Sequence, residues 1–315
     1  MKILITGASC ALGKNLTSEL LKTKQFSIRL LEHRSPVRRE NCEIFQGGLQ
    51  DIDSLGKACS EIDTVVHLAA LTHSFSGKEY FEINEEGTKN LITACKEKNV
   101  RRFIFVSSVA ASEEGGDYGV SKLRCEKLIK ESGFDWVILR PSEVYGLKME
   151  EGIGKLVAWI TKFSIIPVIG DGSYFLSPVS VDDLIQVMVE ILTNDSIEKE
   201  TLNLCGPEKM TMNELIDRLA QIQKVQIKKI YLPIWFVKIA IGVLSIFKSS
   251  IAFSDQIPRL LCRKDQSIDK TQAIIRYNPR KIEEGLLFFQ SKKLSSFDPL
   301  PDIARQEVAN PNKDP

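Results

Sequence analysis

Histidine is scarce in this chain: His33, His67 and His73 are the only three in 315 residues. None stands near a cysteine at ligand spacing, and the seven cysteines (Cys10, Cys42, Cys59, Cys95, Cys125, Cys205, Cys262) form no CxxC pair. That scatter argues against both a metal site and a disulfide framework, and it suits a reducing compartment such as the cytoplasm. An excess of one charge is missing as well. Lys and Arg number 42 against 41 Asp and Glu, a net of +1, so no general attraction draws nucleic acid to the chain. The N-terminus enters a strand directly at KILIT, and no secretory signal is read there.

Long apolar runs are absent too, with one exception. YLPIWFVKIAIGVLSIF, residues 231–247, approaches membrane-span length but is interrupted by Pro233 and carries Lys238. Two readings stay open for it: a core helix of a second lobe, or a peripheral contact with a membrane surface. A true span is not expected.

What is present is alternation. Apolar runs at 2–6, 26–31, 42–45, 63–70, 101–108 and 134–141 read as strands. The segments between them carry apolar residues at helical spacing, notably 11–22, 51–60, 78–98 and 118–132. Continuous apolar strands alternating with helices predict a parallel sheet covered on both faces, a doubly wound α/β fold. After about residue 150 helical patterns dominate (152–163, 181–193, 211–224, 233–247, 281–290), with short strands near IIPVIG and TLNLCG. We therefore expect a nucleotide-binding domain over 1–165 and a smaller, mostly helical substrate lobe over 166–292, interleaved with it. The proline-rich, polar 293–315 is expected to be a flexible tail.

The first strand runs into TGASCALG and then a helix, the context of a dinucleotide loop. Gly7 allows the tight turn, Gly13 allows helix and sheet to pack closely, and the helix N-terminus attracts pyrophosphate. Cys10 stands where side-chain-free backbone normally approaches the phosphates. In a left-handed conformation it would cost about 1–2 kcal/mol. Glu32 closes the second strand, where an acid accepts both ribose hydroxyls and favours NAD. Its neighbours Arg29, His33 and Arg34 could equally receive the 2′-phosphate of NADP, so the expectation is NAD(P) with a lean to NAD.

In YGVSK, Tyr118 and Lys122 lie four apart on one helical face. A tyrosine is a poor base at neutral pH, and a nearby ammonium favours its phenolate. Ser108 ends the preceding strand, where its hydroxyl can bond a substrate oxygen. Tyr118, Lys122 and Ser108 are the candidate catalytic residues. His67 ends a buried strand and reads as a satisfied core imidazole. Asp182 and Asp183 read as helix caps, and Trp136, Trp159 and Phe175 as core or pocket lining.

In order along the chain, TGASCALG, HLAA (67–70), NEEGT (84–88), RFIFVSS (102–108), YGVSK, LRPSEVYG (139–146), SPVSVDDL (177–184) and LNLCGPEKMTMNEL (202–215) resemble the extended short-chain dehydrogenase/reductase superfamily, in its NAD-dependent epimerase/dehydratase branch. The resemblance covers residues 2 to about 290. It implies a Rossmann-type sheet and hydride transfer at a secondary alcohol or ketone of a small, sugar-like or otherwise hydroxylated substrate. Tyr118 would be its acid/base, Lys122 the partner and Ser108 the orienting hydroxyl. It places Gly7, Ser9, Cys10, Ala11, Leu12, Gly13, Glu32, Arg34, Gly48, Leu49, Leu68, Ala69, Ala70, Asn84, Ser107, Pro141 and Val144, with Tyr118 and Lys122, around the cofactor. A homodimer through the helices at 78–98 and 118–132 is a further implication.

The departures are specific. Cys10 replaces the central glycine, and Gly48 stands where an aspartate usually bonds the adenine. The connection from Ser108 to Tyr118 is short. The arginine that holds a sugar-nucleotide pyrophosphate would fall near Leu176 and is missing. Glu143 replaces the asparagine before VYG, as a second acid/base or as a structural carboxylate. These departures also suit a catalytically silent nucleotide-binding scaffold, resembling the accessory subunit of respiratory complex I.

Overall fold

Period-2 alternation along fully buried strands decides the architecture. The computed structural model describes residues 1–74, 76–146, 152–246, 256–262 and 266–286. Its central sheet contains β1 (Lys2–Thr6), β2 (Ser27–Glu32), β3 (Glu43–Gln46), β4 (Thr64–His67), β5 (Arg102–Val106), β6 (Asp135–Pro141) and the strand Glu200–Leu204. Their spatial order is Glu200–Leu204, β6, β5, β4, β1, β2, β3, and every pairing is parallel. Ile3, Ile5, Ile28, Leu30, Val66, Ile104, Val106, Val137 and Leu139 face one side. Leu4, Leu31, Val65, Phe103, Phe105 and Ile138 face the other.

Two helical layers cover these faces. On the first, α1 (Ala11–Thr23) brings Leu16 and Leu20 beside Leu184, Met188 and Ile191 of the helix Val181–Thr193. On the second lie α2 (Ile52–Ala58), α4 (Gly87–Glu97) and α5 (Gly116–Lys130), through Leu55, Leu91, Cys95, Cys125 and Ile129. Each of these apolar side chains removed from water contributes about 1.5–3 kcal/mol. A short α3 (Gly77–Tyr80) passes through a π-helical stretch, Phe81–Glu86, into α4. At the opposite end of the sheet from the site, buried Arg102 bonds Asp195 at 2.6 Å and the carbonyls of Asn194 and Ile197.

The sheet order reverses between β1 and β4, and this opens a crevice at the carboxyl ends of the strands. Around it the smaller lobe uses three two-stranded pairs: Val144–Tyr145 with Val179–Ser180, Phe175–Leu176 with Met210–Thr211, and Ile165–Ile169 with Lys228–Leu232. The helix Met212–Gln223 starts at a capping box of Thr211 and Glu214. The strand from TLNLCG joins the main sheet beside β6 instead of the lobe.

Other expectations need correcting. Trp159 and Phe175 are surface residues, 47% and 45% exposed, Trp159 on the helix Ile153–Lys162 and Phe175 on a strand whose next residue, Leu176, is the one turned inward. The helix Ile234–Ile246 is not a core helix: Trp235 is 65% and Ile239 59% exposed. Among the described residues, no helix is long and apolar enough to cross a membrane. Ser180, not an aspartate, caps the helix Val181–Thr193. Asp183 instead accepts from the backbone N–H and Nε of Arg280, tying the C-terminal segment to the start of that helix. The expected tail 293–315 and the end of the 281–290 helix beyond 286 lie outside the described residues.

Candidate functional site

The loop after β1 has the geometry its glycines foretell. Gly7 has φ +71°, and a Cβ there would come within 2.6 Å of the Ala69 backbone nitrogen. A Cβ on Gly13 would come within 2.5 Å of the Gly7 carbonyl oxygen. Real Cβ atoms do not approach backbone that closely, so both positions require glycine. Cys10 is the N-cap of α1, with φ −70° and ψ 163°, and its Sγ accepts from the Gly13 N–H at 3.3 Å. The conformation is extended, so the left-handed penalty considered above does not arise. Ser9, Ala11, Leu12, Leu68, Ala69 and Ala70 are half-buried while the strands behind them are sealed, which outlines the crevice. A cradle that any Cβ would fill, at a helix N-terminus, fits a dinucleotide pyrophosphate.

Farther along β2, both carboxylate oxygens of Glu32 are held: the Val37 N–H donates to one and the Gln46 side-chain amide to the other. Sequence reading missed these partners, since neither has a motif. Arg34 is exposed on the following loop. A Cβ on Gly48 would meet the His33 ring at 2.9 Å, so imidazole occupies the space of the missing aspartate. Leu49 packs against Gly87, and its carbonyl accepts from Asn90.

Beside the crevice a cavity of about 480 Å³ opens, lined among others by Ser107, Ser108, Tyr118, Pro141, Glu143, Val144, Lys155, His73 and Arg259. Ser108 Oγ accepts from the Ala110 N–H at 3.1 Å, leaving its own proton to donate. Close approach of α5 to this turn needs glycine, because a Cβ at Gly119 would sit 2.3 Å from the Ala110 carbonyl oxygen. Tyr118 is nearly buried, edge-on to Tyr80, and the Arg259 guanidinium lies 4.2 Å from its ring centroid. Arg259 also donates to the Thr72 carbonyl at 3.2 Å. It arrives from the helix Gln256–Leu261, more than a hundred residues away, so no local pattern announces it.

Lys122 shares the helical face of Tyr118, but no hydrogen bond joins them among the described residues. Its ammonium donates to the Val106 carbonyl at 2.8 Å and lies 4.0 Å from the Phe105 ring centroid. An ammonium has three donors, and among the described residues one of them is spent on protein.

Several predicted site residues, in and around the cavity, are hydrogen-bonded to other protein groups. Asn84, inside the π-helical stretch, accepts from the Leu71 N–H at 2.7 Å and donates to the Leu71 carbonyl and Ser121 Oγ. It locks the loop after β4 to α5 and spends its amide there. Ser107 Oγ donates at 2.6 Å to Glu126, whose fully buried carboxylate also takes a fork of two bonds from Arg140. His67 is hydrogen-bonded with Thr6 at 2.7 Å and Thr88 at 3.0 Å, and stacks on Phe105. Burial, with Lys122 adding, lowers its pKa to about 3, so it is a neutral core imidazole as expected. Glu143 accepts from Ser142 Oγ at 2.7 Å. No cluster of metal-ligating side chains exists among the described residues.

Fold and site together define a dinucleotide-binding enzyme of the doubly wound α/β class. The model of the NAD dependent epimerase/dehydratase family matches residues 3–205, and the chain belongs to that family, within the extended short-chain dehydrogenases/reductases. It is 25% identical to a UDP-glucose 4-epimerase of Vibrio cholerae over 90% of this chain and 92% of that protein. It is 26% identical, over 73% and 75%, to the N-acetyl-alpha-D-glucosaminyl-diphospho-ditrans,octacis-undecaprenol 4-epimerase of Escherichia coli O157:H7. Among solved structures, the UDP-glucuronic acid 4-epimerase of Bacillus cereus with UDP-glucuronic acid and NAD superposes with a TM-score of 0.74 at 24% identity, covering 93% and 100%. NAD(P) is thus the cofactor class.

Proposed function

We propose that the chain catalyses NAD-dependent hydride transfer at a secondary alcohol or ketone carbon of a sugar carried on a diphosphate, with Tyr118 as acid/base. One observation carries the reading: Ser108 and Tyr118 open onto a single cavity beside the dinucleotide crevice, above a buried Lys122. Gly7, Gly13 and the N-terminus of α1 would hold the pyrophosphate, and Glu32 the adenosine ribose. When bound, NAD supplies the hydride acceptor. Tyr118 takes the proton of the reacting hydroxyl and returns it when the carbonyl is reduced. Ser108, its oxygen fixed by the Ala110 amide, donates to the same substrate oxygen as negative charge develops there. Lys122, bonded to the Val106 carbonyl, would use its remaining donors on the cofactor ribose and to favour the Tyr118 phenolate.

The diphosphate is drawn from the relatives' substrates, a sugar on a nucleotide in one and on a polyprenol in the other. The arginine missing near Leu176 weighed against such a substrate. Arg259 and Lys155 on the cavity wall supply two cationic groups in its stead.

The test is turnover of UDP-glucose and UDP-N-acetylglucosamine with NAD, followed by anomeric proton resonances and by the near-ultraviolet absorbance of reduced nicotinamide. Tyr118→Phe should lower turnover by about 10²–10⁴ while retaining NAD affinity. A folded protein that binds neither NADH nor NADPH in calorimetry refutes the reading. NAD binding without turnover of any sugar diphosphate, lipid-linked ones included, gives the scaffold reading instead.

A further inference from the structure

The apolar residues that left the core gather on one side of the smaller lobe. The helix Ile153–Lys162 ends in Trp159, whose Nε1 donates to the Ile165 carbonyl at 3.1 Å and whose ring lies 5.0 Å from that of Phe163. In the strand that follows, Ile166 and Val168 are buried, while Ile165 and Pro167 point outward. The parallel register sets Lys228 opposite Ile165 and Ile230 opposite Pro167, extending the same outward face. From there the chain enters the helix Ile234–Ile246, whose sequence IWFVKIAIGVLSI is apolar apart from Lys238 and Ser245. Trp159, Phe163, Ile165, Trp235, Phe236 and Ile239 are each between 44% and 65% exposed. A soluble fold seldom leaves so much aromatic and aliphatic surface uncovered.

Charge identifies the occupant. Residues 152–170 and 219–254 contain seven lysines and not one Asp or Glu, in a chain whose charges otherwise balance. Lys229 is paired with Asp217 at 2.8 Å, but Lys155, Lys162, Lys228 and Lys238 are exposed. Two copies of this face would set lysines against lysines, so self-association is disfavoured. A surface that is apolar below and negative above satisfies both features. Trp and Phe settle at the headgroup boundary, Ile beneath it, and lysine stems reach back to the phosphates.

We propose that this face docks on the surface of an anionic phospholipid bilayer. The helix Ile153–Lys162 links the docked face to the site: Ile153 and Lys155 line the cavity at its start, and Trp159 stands on the face near its end. Ten residues of helix span about 15 Å, so docking holds the cavity mouth within reach of the headgroups. Docking goes beyond the chemistry proposed above and does not depend on Tyr118 turning over any sugar.

The experiment is co-sedimentation of the full chain with vesicles of equal parts phosphatidylglycerol and phosphatidylcholine, against phosphatidylcholine alone, with tryptophan emission as a second readout. Binding to the mixed vesicles with a blue shift, weakened by salt, is expected. Lys228→Gln and Lys238→Gln should each lower the partition constant about fivefold, equivalent to ~1 kcal/mol per lysine. The double variant Trp235→Ser/Ile239→Ser should lower it tenfold or more, roughly, as the apolar area is lost. All of these side chains are exposed, and unchanged NAD affinity verifies that each variant is folded. Tyr118→Phe should sediment like the parent, which separates this test from that of the catalytic reading. If the folded full chain stays in the supernatant with both vesicles, the proposal is overturned. Light scattering that shows a dimer broken by Trp235→Ser/Ile239→Ser, without vesicle binding, overturns it in favour of self-association.

Discussion

Replacing Cys10 by the glycine usual at that position should not improve cofactor binding. A glycine is useful there if the backbone is left-handed or if a Cβ obstructs the phosphates. At φ −70° and ψ 163° the residue is in ordinary extended geometry, and there is no strain to relieve. Had a left-handed penalty of about 1–2 kcal/mol been present, its release could tighten binding by about five- to thirtyfold. What Cys10→Gly does remove is the contact of Sγ with the Gly13 N–H at 3.3 Å. Thiol sulfur is a weak acceptor, so the expected cost is only a few tenths of a kcal/mol. Cys10→Ser retains the cap with a better acceptor and should gain about 0.5–1 kcal/mol. In a chain of this size that is a rise of roughly 1–2 °C in Tm. Thermal denaturation of the parent and both variants, with calorimetric titration of NADH, measures both quantities. NADH affinity of Cys10→Gly within about twofold of the parent is expected. A tenfold tightening, about 1.4 kcal/mol, would refute the reasoning, because only an obstructing side chain could account for it.

Four other perturbations follow from the same geometry. Gly13→Ala puts a methyl 2.5 Å from the Gly7 carbonyl oxygen, so NADH titration should show no measurable binding even where circular dichroism shows a folded chain. Glu126→Ala leaves the Arg140 fork and the Ser107 hydroxyl without their acceptor, and urea unfolding should show a loss of about 3–5 kcal/mol. His67 has its folded pKa lowered to about 3 against an unfolded value of 6.5. Its contribution is therefore complete above pH 6.5 and declines as pH falls toward 3, because only the unfolded chain takes up the proton. Between pH 6.5 and 5 the parent should lose about 1.6 kcal/mol that a His67→Gln variant does not lose, as read by urea midpoints. Arg259→Leu should raise KM for a sugar diphosphate by roughly tenfold, the worth of one charge-assisted bond, with a smaller change in kcat. An unchanged KM there would remove Arg259 from substrate binding.

Features governed by short-range pattern were legible in the sequence. Strands β1, β4, β5 and β6 are apolar on both faces, and only a sheet covered by two helical layers accommodates that. The glycine positions of the loop followed from sterics, and the distances at Gly7 and Gly13 agree. Features decided by distant partners were hidden. TLNLCG could be assigned to the lobe or the sheet until its register with β6 was seen, since a short apolar strand suits either. Asn84 and Ser107 were read as cofactor contacts, and their bonds to Leu71, Ser121 and Glu126 were hidden because those partners lie 13 to 37 residues away. The same limit applies to Arg259, whose place over Tyr118 depends on the path of the chain between the lobes.

The helix Ile234–Ile246 shows the limit most sharply. Hydropathy reports how much apolar surface a helix carries, not whether protein or lipid covers it, so a core helix and an interfacial helix score alike. The acid-free lysine pattern around it was present in the sequence all along. It became an argument only when the fold paired residues 165–169 with 228–232 and left Ile165, Ile230 and Tyr231 uncovered. Net charge averaged over the chain concealed it, because +1 is a sum of regions with opposite balances. For proteins of balanced charge, the distribution of acids across the folded surface is therefore the quantity that bears on membrane contact.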